Sequence, residues 1–551
     1  MPVPLRLSNV SFAYRHARQP ALSGLDLSLD AGRFAGLTGR TGAGKTTCVR
    51  VCNGLVPHVL KGELTGSVEL FGQPIDHAYR HAAVRRVAMV FQDFEAQLFS
   101  TTVRSEVAFG LECRGVPPAE MPARIDDALS RVGLAALADR EPGSLSGGQK
   151  QRLAIACALA ARPEVLILDE PTTDLDPVGK QEVASLLDEL AEAGSSVLLV
   201  EHEPELLARA HRLYGLEAGK VVSAGAPGEL EDPLRFGVRP PDLRRLWQRL
   251  GLSNPPASIV EAAVRLGALG FAAGPDIAPA AGSGEVLFQL ENATFRYAGG
   301  PLAIDGVSLE IRRGETVAVL GSNGAGKTTL AGLLNGLRRP SAGRVLFEGR
   351  DIAPVSIGEL GRRIGFVFQN PDHQIFAPTV VEEVAFGLKV RGVPEHERAA
   401  RVERALAQVG LAGMAERDPF VMTRGERQKL ALASVLVHEP EILILDEPTT
   451  GLDAAEQEAM AALLNELSRR GGTLVVITHS MDTALAVCGR TLLLAEGKVL
   501  ADGPTREIFA QESLLAKAQL RTTVAARLSA RLGLGALNAD ALAGRLSRRK
   551  P

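Results

Sequence analysis

The stretch Gly39 to Thr46, GRTGAGKT, fits the pattern G-x-x-x-x-G-K-[ST]. Ahead of it lies an apolar run, Phe34-Ala35-Gly36-Leu37-Thr38, and behind it Thr47 to Val51 has helical character. Each position has a chemical reason. Gly39, Gly42 and Gly44 let the backbone turn tightly and aim successive N–H groups at a phosphate. Lys45 offers a compact positive charge to β- and γ-phosphate oxygens, and the Thr46 hydroxyl suits a magnesium ion. A buried strand leading into a helix puts the helix's positive end, with Thr47 in its first turn, at the anion. A chance glycine-rich turn does not explain the motif, because it returns as Gly321 to Thr328, GSNGAGKT. There Gly321, Gly324, Gly326, Lys327, Thr328 and Thr329 take the same places.

The whole chain follows that duplication. Lys45 and Lys327 stand 282 positions apart, as do Ala21 and Ala303. Beyond the loops the spacing is 277, as Gln92 to Gln369, Asp169 to Asp446 and His202 to His479 show, so the first copy holds five extra residues within 56–66. Each copy ends in a helical pattern, LRRLWQRLGL around Trp247 and VAARLSARLGL around Leu532. The predicted organisation is a first domain over 1–235 with its tail over 236–273, a Pro/Gly-rich linker over 274–284, a second domain over 285–512 and a tail over 513–551. VAMVFQ, VLILDE and SVLLVEH have the continuous apolarity of parallel strands buried on both faces. The expected fold class is α/β, each half a mostly parallel sheet with a helical subdomain between Thr101 and Arg162 or its counterpart.

Composition narrows the function. A net charge of −3 argues against a nucleic-acid binder, and one Trp with four Tyr leaves no broad base-stacking platform. The five cysteines (Cys48, Cys52, Cys113, Cys157, Cys488) form no C-x-x-C or Cys/His cluster and read as reduced thiols of a cytosolic protein. No run approaches a membrane-spanning length, and the N-terminus has no signal-peptide core.

Chemistry gathers at strand ends. Val165-Leu-Ile-Leu-Asp169-Glu170 and Ile442-Leu-Ile-Leu-Asp446-Glu447 each close a buried strand with two carboxylates pointing differently. The Asp suits the magnesium shell and the Glu a water attacking a γ-phosphate. His202 and His479 end two further apolar strands as candidate catalytic groups. Gln92 and Gln369 offer uncharged contacts to metal or water. Ser146, Gly147, Gly148 and Gln149 open a helix with a free hydroxyl, a second anion site. Tyr14 and Tyr297 hold matching places and each suits an adenine ring.

Phosphate loop, glutamine, LSGGQ, DE and His, in that order and twice over, resemble the nucleotide-binding domains of ABC ATPases across nearly the whole chain. The resemblance implies ATP and Mg²⁺ as cofactors and two halves paired head to tail within one chain. Site one is then Lys45, Thr46, Gln92, Asp169, Glu170 and His202, closed by Thr423 to Glu426. Site two is Lys327, Thr328, Gln369, Asp446, Glu447 and His479, closed by Ser146 to Gln149. Glu170 and Glu447 are the implied general bases, the histidines contact the γ-phosphate, and the metal shells comprise Thr46, Gln92 and Asp169 or Thr328, Gln369 and Asp446. The second half departs at one place, Met422-Thr-Arg-Gly-Glu426. Thr423 keeps the hydroxyl and Gly425 the second glycine, but Arg424 brings bulk and charge close to ATP. Two unequal sites are expected, with site two the standard one; the alternative is that the change is a tolerated variation.

The segments Gln92-Asp-Phe-Glu-Ala-Gln-Leu-Phe-Ser-Thr-Thr-Val103 and Gln369-Asn-Pro-Asp-His-Gln-Ile-Phe-Ala-Pro-Thr-Val380 are similar to those of energy-coupling-factor importer ATPases, which serve vitamin or transition-metal uptake. That resemblance implies an integral-membrane T component seated beside these segments, a substrate-binding S component, and a peripheral location on the cytoplasmic membrane face. Asp93-Phe94 replaces the usual Asn-Pro in the first half. The alternative is an ABC-F-like ribosome-associated ATPase, whose linker is typically long, helical and charged, unlike Gly274 to Gly284. Fused sugar-importer ATPases usually lose the second phosphate-loop lysine, and Lys327 is present.

Overall fold

The strand expected before the first phosphate loop is there: Phe34–Gly39 is buried along its whole length. Its partners make a six-stranded sheet in the order Lys220–Gly225, Arg212–Glu217, Phe34–Gly39, Ser196–Val200, Val165–Asp169, Val87–Val90. All neighbours are parallel except the outermost pair, Lys220–Gly225 with Arg212–Glu217. Buried parallel strands carry side chains into layers on both faces, hence the unbroken apolar runs. The computed structural model describes residues 3–15, 17, 19–75, 85–173, 175, 177–230, 232–273 and 284–548. The expected linker lies almost wholly outside the described residues.

The chain divides into two compact units, residues 1–240 and 241–551. The second repeats the sheet with Ile364–Val367, Ile442–Asp446, Thr473–Ile477, Thr316–Leu320, Arg490–Ala495 and Lys498–Pro504. Each unit also carries a four-stranded antiparallel sheet, built around Leu5–Tyr14 in the first and Val286–Arg296 in the second. The sequence reading had no counterpart for it, because alternating strands look weak beside continuous apolar runs.

The helical subdomains fall where expected. Val103–Cys113, Met121–Arg131 and Gly147–Ala160 pack on one apolar core, as do Val380–Val390, Glu395–Gln408 and Arg424–Leu436. Thr102 caps the first of these, accepting from the Ser105 N–H at 3.1 Å. Cys48 and Cys52 are buried beneath the first phosphate loop, and no disulfide occurs among the described residues.

The tails differ from the predicted plan. Residues 241–273, expected as the first half's own tail, are gathered with 524–548 into one apolar cluster within the second unit. Leu243, Leu246, Trp247, Ala262 and Leu266 meet Leu528, Leu534, Leu537, Leu542 and Leu546 there. Phe271–Ala273 pairs antiparallel with Leu546–Arg548, Asp242 accepts from the Ala525 N–H at 2.8 Å, and Arg245 pairs with Asp540. Short amphipathic helices bury too little surface alone, so two tails share one core.

Candidate active site

Each phosphate loop is held in the left-handed backbone region that glycine permits: φ is 81° at Gly42 and 103° at Gly44, and 82° and 101° at Gly324 and Gly326. Gly39 and Gly321 are close approaches instead, where a Cβ would stand 2.5 and 2.4 Å from the carbonyls of Leu216 and Leu494. Helices begin at Lys45 and Lys327, so first-turn N–H groups open toward the loop. The buried lysines fold back on their own loops. Lys45 Nζ donates to the Gly39 and Arg40 carbonyls at 2.8 and 3.3 Å, and Lys327 Nζ to those of Gly321 and Ser322 at 2.9 and 3.1 Å. An anion entering the loop takes over donors already aimed at its position.

Behind each lysine stands the carboxylate pair. Glu170 and Glu447 have φ of 51° and 49°, a costly conformation for a side chain with a Cβ and one that clusters at functional sites. Glu170 Oε2 accepts from Gln92 Nε2 at 2.7 Å, while its Oε1 lies 3.3 Å from His202 Nε2 and 3.7 Å from Lys45 Nζ. Glu447 is held by other partners: His479 Nδ1 at 2.8 Å, the Thr478 hydroxyl at 3.2 Å and the Thr450 hydroxyl at 3.4 Å. Burial alone would raise the Glu447 pKa, but His479 and then Lys327 outweigh it and hold the carboxyl below its usual range. Gln369, by contrast with Gln92, is exposed.

Asp169 is buried, and neither oxygen has a partner in hydrogen-bonding geometry, although Thr46 lies near enough to act on it. An orphaned carboxylate beside a hydroxyl suits a hard cation with oxygen ligands. Burial, then Glu170, pushes Asp169 up to about 7, against Lys45 and Thr46; burial and Glu447 push Asp446 to about 6. The sign follows from linkage: a carboxyl raised in the folded state contributes stability below its unfolded pKa, lost as pH rises through about 7. Ligand-free Asp169→Asn is therefore expected to gain on the wild type between pH 5 and pH 8 by on the order of 1 kcal/mol or more. Melting curves without metal check this; parallel pH dependences would contradict it.

The tyrosines are each tied to the residue after the loop threonine. Tyr14 and Thr47 share a hydroxyl–hydroxyl bond of 3.1 Å, and Tyr297 and Thr329 another of 3.1 Å. Ser146 and Thr423 are N-caps in capping boxes with Gln149 and Glu426. A Cβ at Gly425 would meet Glu456 at 2.1 Å, and one at Gly451 would meet the Arg424 guanidinium carbon at 2.7 Å. Arg424 thus lies over Gly451 of its own half. Glu201, Thr478 and Thr450 belong to these clusters too, and no motif marks them in the sequence.

A paired set of phosphate loop, buried lysine and strand-end carboxylates on an α/β sheet defines a P-loop ATPase. The ABC transporter family matches residues 22–173 and 304–450. A putative ABC transporter ATP-binding protein of Caldanaerobacter subterraneus subsp. tengcongensis is 38% identical over 545 residues, 96% of each chain. One from Methanosarcina acetivorans is 39% identical over 550 residues, 95% of this chain and 90% of the relative. The solved structure of cbiO1 from Clostridium perfringens, described as part of the ABC transporter complex cbiONQ, is 35% identical; it covers 45% of this chain and 98% of its own, with a TM-score of 0.40. The chain belongs to the ABC transporter ATP-binding family, as a tandem of two such domains, and is an ATPase.

Proposed function

We propose that this chain powers a membrane importer for a vitamin or transition-metal ion, working with an integral-membrane T component and a substrate-binding S component. The observation that carries this reading is an exposed aromatic pair in each half, one ring within the glutamine segment and the other on the helix that follows it. Phe99 and Phe109 meet edge to face at 4.8 Å while 64% and 43% exposed. Phe376 and Phe386 do so at 4.7 Å while 58% and 46% exposed. Aromatic edges left in water at equivalent places of both halves favour a partner surface. No helix among the described residues is long and apolar enough to cross a membrane, so transport requires a separate membrane partner.

In this reading Mg²⁺·ATP is held by Thr46, Gln92 and Asp169, and in the second half by Thr328, Gln369 and Asp446. Glu170 and Glu447 accept the proton of the attacking water, and His202 and His479 face the γ-phosphate. The chain then works at the cytoplasmic membrane face without nucleic acid.

Phe109→Asp with Phe386→Asp is expected to abolish co-purification of a small polytopic membrane protein. Soluble ATPase activity should stay within about twofold, as for surface changes away from the site. Retention of the membrane protein by the variant, or co-sedimentation of the wild type with ribosomes instead, would overturn the importer reading.

A further inference from the structure

The two halves of the chain serve as controls for each other, and they diverge one residue before each histidine. The first half has Glu201 where the second has Thr478. Thr478 serves the reacting carboxylate, its hydroxyl donating to Glu447 Oε2 at 3.2 Å and accepting from the Ser480 N–H at 3.0 Å. A carboxylate cannot donate in that way. Glu201 is only 3% exposed, and it turns its oxygens to the Thr172 hydroxyl and to the N–H groups of His202, at 2.7 Å, and Glu203, at 3.4 Å. Thr449, the counterpart of Thr172, instead bonds the Thr483 hydroxyl at 3.1 Å.

The histidines answer to this difference. His479 meets Glu447 through Nδ1, whereas His202 meets Glu170 through Nε2 at 3.3 Å and leaves Nδ1 buried without a partner. Glu203 is tied to Lys180, where the second half has Ser480 and Gln457. The backbone around His202 is thus clasped at two neighbouring side chains to the segment following Glu170.

We propose that Glu201 is a positioning residue that makes the first ATP site slower than the second, by fixing the ring orientation of His202 and adding to Asp169 and Glu170 a buried carboxylate that the second half lacks. This rests on Glu170 and Glu447 being the general bases. Burial and then Glu203 push the Glu201 carboxyl up, and Glu170 adds to the same direction, so the two carboxylates sense each other. A like charge held in a low-dielectric site opposes the negative charge gathering on a transferring phosphoryl group. At the second site Thr478 supplies a donor with no charge.

The test uses full-length chains in which one site carries the turnover. In the Glu447→Gln background, Glu201→Thr and Glu201→Gln are each expected to raise kcat about 3- to 10-fold with KM for ATP nearly unchanged. Glutamine keeps an acceptor for Thr172 and the His202 N–H, so it answers for charge even where threonine weakens the fold. In the Glu170→Gln background, Thr478→Glu is expected to lower kcat by about the same factor. Unchanged or lower kcat in both Glu201 variants would overturn the proposal. A different failure, parent variants Glu170→Gln and Glu447→Gln that turn over like the wild type, would instead remove the general-base assignment beneath it.

Discussion

Glu170→Gln combined with Glu447→Gln lowers steady-state ATP turnover by about 10²- to 10⁴-fold, the range that general-base catalysis contributes, while nucleotide still binds. The expectation comes from geometry shared by both halves. Each glutamate follows a fully buried strand, Val165–Asp169 or Ile442–Asp446, takes a left-handed backbone, and meets a histidine. Glutamine keeps shape and hydrogen-bonding capacity but accepts no proton from water. The single substitutions should not be equal. The second half has an uncharged Thr478 beside its glutamate where the first has Glu201, so Glu447→Gln is expected to remove more of the total turnover than Glu170→Gln. Phosphate release by the three variants measures this, and identical losses from the two singles would contradict unequal sites.

Lys45→Ala and Lys327→Ala are the second pair with large consequences. Both ammonium groups are buried and hold two loop carbonyls each, so they are positioned before any nucleotide arrives. A charge-assisted bond of this kind contributes about 1.5–3 kcal/mol, which weakens ATP binding at the altered site roughly 10- to 100-fold. Lys45, like Lys327 at its own carboxylates, also lowers the cost of burying its neighbours: it stands 3.7 Å from Glu170 and acts on Asp169. Removing it leaves those carboxylates with less compensation, so Lys45→Ala should also lower the ligand-free melting temperature. Fluorescent-nucleotide titration and a melting curve separate the two effects. Unchanged affinity in either variant would remove that lysine from the phosphate site.

Much of this was legible in the chain itself. The duplicated phosphate loop announced two domains, and the runs ending in Asp169–Glu170 and Asp446–Glu447 announced buried parallel strands. The helix starts at Ser146 and Thr423 were readable because capping follows local rules. What escaped depends on contacts distant in sequence. Nothing near Trp247 indicates that its helix shares a core with Leu528 and Leu542, since an amphipathic pattern shows an apolar face without naming its partner. Glu201 looked like one more acidic residue in VEH, and only burial against Thr172 and His202 distinguishes it from a solvated one. The direction in which Arg424 lies, over Gly451, was hidden for the same reason.

One chain is expected to carry two working ATP sites. Counting bound ATP per chain, in the presence of Mg²⁺, on the hydrolysis-impaired Glu170→Gln/Glu447→Gln protein tests it most directly. Two nucleotides per chain are expected, falling to one when either Lys45→Ala or Lys327→Ala is added at sub-saturating ATP. A single nucleotide per chain that survives both lysine substitutions would contradict it.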